Sequence, residues 1–154
     1  MAEKENDRIS RLANLADELE RAYQKAGNLL ASRIDPVNDA IKKIGVTMEA
    51  SQETAFSCEE FEAGEHRKYL LCAVRGKNRE CGLYVAVWGY PPGSIDLNDK
   101  ELAIKHIIKP EELPLPTRIK ILDVLDDFVE MYERHVRDTR KNLLEGPVVP
   151  ESNQ

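Results

Sequence analysis

Apolar residues in the first part of the chain recur by threes and fours. Ile9, Leu12, Ala16, Leu19, Tyr23, Ala26 and Leu30 form one helical stripe, widened by Leu15, Ala22 and Leu29. The pattern predicts a helix over residues 5–33. Asp7/Arg11 and Asp17/Arg21 sit on its polar side at supportive four-residue spacing, and Gly27-Asn28 is its weak point. Asp35-Pro36 suits a helix cap followed by a first helical position, so a short second helix is expected over 36–44, stopped by Gly45.

From Val46 the period changes to two. Val46, Met48 and Ala50 alternate with polar residues, and residues 54–61 carry a weaker strand signal before a turn at Ala63-Gly64-Glu65. Residues 68–75 and 81–90 are the strongest strands and form a hairpin across Gly76-Lys77-Asn78-Arg79. A two-residue turn or a four-residue loop would close it, and both registers put the same residues on the same face. One face then holds Leu70, Cys72, Val74, Cys81, Leu83, Val85 and Val87; the other holds Tyr69, Leu71, Ala73, Tyr84, Ala86, Trp88 and Tyr90. Neither alternates with polar residues, so both faces need cover.

Pro91-Pro92-Gly93-Ser94 ends the hairpin. Residues 95–110 fit either strand or helix, with strand preferred, and Leu113-Pro114-Leu115-Pro116 is an extended connector. A last helix is expected from near Pro116 to about Glu145, striped by Leu122, Leu125, Val129, Tyr132, Val136, Thr139 and Leu143 and broadened by Ile121 and Phe128. Glu130/Arg134 and Glu133/Arg137 are oriented as ion pairs on its wet side.

The fold class expected is α+β: a long N-terminal helix plus a short one, an antiparallel meander of about 4–5 strands, and a long C-terminal helix. Residues 5–146 make one domain, with 1–4 a disordered N-terminus and 147–154 a flexible tail. Each long helix would extend roughly 43–45 Å, while a ten-residue strand spans only about 33 Å. The helices must overhang the sheet or pair beyond it.

Composition narrows the function classes. Charged residues make up 32% of the 154 residues, which suits helices with one solvated side. The net charge of −6 disfavours non-specific contact with phosphate backbones or anionic lipid. No run approaches the roughly 18 apolar residues of a membrane span, and the charged N-terminus lacks a signal-peptide core. Three cysteines (Cys58, Cys72 and Cys81) are an odd number for a disulfide framework, and a reduced cytoplasmic setting is expected.

Candidate chemistry is sparse. Cys72 and Cys81 share the aliphatic face without CxxC spacing, and read as small buried hydrophobes rather than metal ligands. His66, His106 and His135 have no evident partner, and neighbouring carboxylates such as Asp126-Asp127 point about 100° apart on a helix. No phosphate-binding glycine loop or nucleophile motif occurs, so neither cofactor nor metal is expected, and the reading leans away from an enzyme.

The leading expectation is a protein–protein interaction or regulatory protein, homodimeric, without a membrane role. Its candidate surface is Tyr69, Tyr84, Trp88, Tyr90 and Tyr132. One alternative is single-stranded nucleic-acid binding through Arg67, Lys68, Arg75, Lys77 and Arg79 beside those aromatics. Another is a small-ligand or enzyme pocket at the aromatic sheet face, lined by Tyr69, Tyr84 and Trp88.

Overall fold

A computed structural model describes residues 2–60, 66–90 and 104–145. Helix α1 covers Ala2–Ile44, followed by strands β1 (Ala55–Glu60), β2 (His66–Arg75), β3 (Cys81–Tyr90) and β4 (Ile104–Ile108), then α2 (Leu115–Ile119) and α3 (Ile121–Glu145). The α+β class holds: a long N-terminal helix, a four-stranded antiparallel sheet in the order β1-β2-β3-β4, and a long C-terminal helix.

The two expected N-terminal helices are one. The helix starts at Ala2, ahead of the expected start at Glu5, and runs through Pro36 to Ile44. A mid-helix proline removes one backbone bond and costs about 3 kcal/mol. Around Pro36 the helix is held from outside. Ile34 and Ile41 are core residues, Arg33 pairs with Asp126 of α3 at 3.3 Å, and the Asn38 side chain bonds to β3. Gly45, with φ +74, ends the helix, and its N–H donates to Ile41 O at 2.8 Å.

The strand expected over 46–50 is reduced to a bridge: Met48 and Ala73 exchange two backbone hydrogen bonds of 2.7 and 2.9 Å. Strand β1 forms as expected, with an irregularity between Ala55 and Ser57. The preference for strand within 95–110 is met by β4; the expected turns at 63–65 and 91–94 and the tail at 147–154 lie outside the described residues. The last helix divides at Lys120 into α2 and α3.

The hairpin register corrects the expected faces. Arg75 lies opposite Cys81, Cys72 opposite Tyr84 and Tyr69 opposite Val87. The loop is neither of the two expected kinds. Arg79 N–H donates to Gly76 O at 2.9 Å, making a four-residue turn, and Arg79 itself then adopts φ +65. Gly76 N–H closes onto Glu80 O at 3.0 Å, while Asn78 Oδ1 accepts from Glu80 N–H at 3.1 Å. This is a three-residue loop with a left-handed third residue. It shifts the register by an odd number, which turns one strand over relative to the other.

Tyr69, Leu71 and Ala73 therefore share a face with Cys81, Leu83, Val85 and Val87. That face packs on Leu30, Ile34 and Ile41 of α1 and on Ile121, Leu125, Phe128 and Tyr132 of α3. The opposite face joins Leu70, Cys72 and Val74 to Tyr84, Ala86 and Trp88, with Ala50 and Ala55 packed against them. The two helices advance in the same direction: Arg33 of α1 meets Asp126, and Val46 just beyond α1 meets Tyr132.

One glycine leaves room for the Asn38 side chain of α1 against β3. A Cβ on Gly82 would stand 2.9 Å from Asn38 Oδ1 and 3.3 Å from the Tyr84 ring. That closeness lets Asn38 Oδ1 accept the Leu83 N–H at 2.9 Å, where the ladder to β4, which starts at Val85, does not reach.

Candidate interaction surface

The apolar stripe of α1 continues through the whole helix, but its two halves have different fates. Leu30, Ile34 and Ile41 are sealed in the core. Residues 2–25 are exposed throughout. At 1.5 Å per residue they form an arm of about 36 Å reaching past the body. On it Ile9 is 63% exposed, Leu12 65%, Leu15 58%, Leu19 53% and Tyr23 46%. A helix with a 3.6-residue apolar stripe normally turns that stripe to a partner, and contiguous exposed apolar surface marks an interaction site. Arg11 and Arg21 fold back one turn to the backbone carbonyls of Asp7 and Asp17, each at 3.4 Å.

Where α1 ends, side chains from three elements hold the chain leaving it. Tyr132 Oη donates to Val46 O at 2.7 Å, and Cys81 Sγ lies 3.4 Å from the same oxygen. His135 Nε2 is 2.8 Å from Thr47 O, which fixes that nitrogen as the protonated donor. Arg75 Nη2 reaches Gly45 O at 3.4 Å. Burial pushes the Cys81 thiol and the Tyr132 phenol above their ordinary values, so both stay neutral. A thiol raised this way is inert rather than nucleophilic.

The expected surface residues are mostly interior. Tyr69 is on the helix-facing side, stacked on Phe56 at 5.7 Å between ring centroids. Trp88 is on the other side with Leu70 and Ala86, and Tyr132 is in the core, stacked on Phe128 at 6.2 Å. Tyr84 is half-buried next to Trp88's cluster, and the Tyr90 side chain lies outside the described residues. Tyr69, Tyr84 and Trp88 thus line no common pocket, because the sheet separates Tyr69 from the other two.

The five basic residues are likewise divided. Arg67 and Arg75 share the helix-facing side of β2, Lys68 lies on the opposite side across from Trp88, and Lys77 and Arg79 are in the loop. Eight residues of strand, about 27 Å, separate Arg67 from Arg75. Arg75 is also committed to the backbone, its Nη1 bonded to Arg79 O at 3.0 Å. Cys72 and Cys81 lie on opposite faces rather than side by side.

A polar cleft and an apolar groove adjoin α1. A polar cleft of about 200 Å³ runs between Asp35, Asn38 and Lys42 of the helix and Glu80, Cys81 and Tyr84 of the hairpin, crossed by a Lys42–Glu80 ion pair at 3.5 Å. An apolar groove of about 450 Å³ lies between α1 and α3, lined by Val37, Ile41, Ile44, Val129 and Val136. Among the described residues no three His, Cys, Asp or Glu side chains converge as metal ligands would, and no helix is long and apolar enough to cross a membrane.

The residues a sequence reading should have singled out are Ile9, Leu12, Leu15 and Leu19. Their signal was the mismatch between helix length and sheet width, since a helix longer than what it covers leaves part of its stripe bare. No family model, curated protein or solved structure matches this chain.

Proposed function

We propose that this chain is a non-enzymatic protein–protein interaction protein, homodimeric, that works through the projecting half of α1. The observation that carries the reading is one stripe with two fates: core at Leu30, Ile34 and Ile41, bare at Ile9, Leu12, Leu15, Leu19 and Tyr23. Burying a large aliphatic side chain is worth about 1.5–3 kcal/mol, so half-exposed residues still offer about 1 kcal/mol each. Ten of them from two copies reach the range that association costs, about 4–15 kcal/mol.

Light scattering at micromolar concentration tests this. The expected mass is that of a dimer, and Leu12→Glu with Leu19→Glu gives a monomer whose near-ultraviolet circular dichroism is unchanged, because neither residue belongs to the core. A wild-type monomer across the concentration range refutes it.

A further inference from the structure

We infer that the arms pair antiparallel, two copies of α1 crossing on a two-fold axis at the level of Asn14. This rests on the homodimer reading above and adds the geometry of the pair. Two observations on the arm converge on that point.

The first is the spacing of the stripe. Ile9, Leu12, Ala16 and Leu19 are symmetric about residue 14, at five and two positions on either side. In an antiparallel pair centred there, residue n lies across from residue 28 − n. Ile9 then meets the partner's Leu19, and Leu12 meets the partner's Ala16. Each large side chain at the inner layers faces a small one, which is how facing positions interdigitate. In a parallel, in-register pair, Ala16 would face Ala16 and leave that layer underfilled, with Leu12 crowded on Leu12.

The second is charge. Along the arm, residues 3–7 (Glu3, Lys4, Glu5, Asp7) carry a net −2, Arg8 and Arg11 carry +2, Asp17, Glu18 and Glu20 carry −3, and Arg21 and Lys25 carry +2. Turned about residue 14, every block faces one of opposite sign: 3–7 against 21–25, and 8–11 against 17–20. In a parallel pair every block faces its own copy. Most of these charges flank or back the stripe rather than line it, so screening leaves them a role in choosing orientation more than in strength.

Cysteine pairing reads the orientation directly. Ile9→Cys and Leu19→Cys are made as separate chains, oxidised alone and as a 1:1 mixture, with the wild type as control, and separated on non-reducing gels; light scattering on each gives its mass. Antiparallel pairing yields a crosslinked dimer in the mixture and none above the wild-type level from either variant alone. Crosslinking of each variant with itself, with no gain on mixing, is the parallel pair and overturns the inference while the dimer reading stands. A dimeric mass with no crosslink in any arm, or one that survives Leu12→Glu with Leu19→Glu, places the interface elsewhere and also overturns it. A monomeric wild type removes the dimer reading and the inference with it.

Discussion

The hydrogen bond between Asn38 of α1 and Leu83 of the sheet is the contact easiest to test quantitatively. In Asn38→Ala the Leu83 N–H loses the Oδ1 acceptor at 2.9 Å, in a place the sheet ladder does not supply. Leaving a buried donor unsatisfied costs about 1–3 kcal/mol. Alanine is the better helix former by up to about 0.7 kcal/mol, which offsets part of that. The expected net loss is about 1–2 kcal/mol, read as a lower urea midpoint with an unchanged slope. Gly82→Ala should cost a similar amount for the opposite reason, since its Cβ would stand 2.9 Å from that same Oδ1. In the Asn38→Ala background that clash is gone, so the two losses should fall short of adding by at least about 0.5 kcal/mol. Strict additivity, or an Asn38→Ala protein as stable as wild type, would refute the account of how α1 is seated.

Two further outcomes follow from groups described above. Arg79→Gly should stabilise the protein by about 0.5–1 kcal/mol in urea unfolding: a side chain at φ +65 costs about 1–2 kcal/mol, and glycine's freedom in the unfolded chain gives back part of the gain. A loss of stability there would mean the loop does not hold the conformation described. Stability should also fall on the alkaline side. Cys81 and Tyr132 are raised by burial from 9.0 and 10.0, so the unfolded chain releases these protons first, and stability declines as pH climbs past about 9 through the folded values. Urea midpoints at pH 7 and pH 10 should differ less for Cys81→Ala with Tyr132→Phe than for wild type; an equal difference would show that neither group is linked to folding.

The elements were legible where one period ran long. Ten stripe residues announced α1, and a run of apolar residues on both faces announced the hairpin. Register was not, because it turned on Arg79 taking a left-handed conformation that sequence assigns to glycine or asparagine. That one residue moved Tyr69 to the helices and left Trp88 behind, dissolving the aromatic face on which the expected site was built. Pro36 misled in the same way. A proline after aspartate reads as a helix start, and only the buried Ile34 and Ile41 on either side make a continuous helix affordable. The arm itself was visible as an overhang, yet which half of the stripe was bare depended on where the body sits along the rod.

That rod has a consequence for how the molecule orders itself. Starting a helix is unfavourable, while extending one already formed is close to neutral. The docked turns around Leu30, Ile34 and Ile41 supply the nucleus, so the arm is an extension of the core rather than an independent element. Loosening those turns unwinds the arm as well. In the proposed homodimer, capture of the arm by a second copy would run the linkage backwards and tighten the body by mass action. Assembly and folding would then share one transition, with a midpoint that climbs with protein concentration.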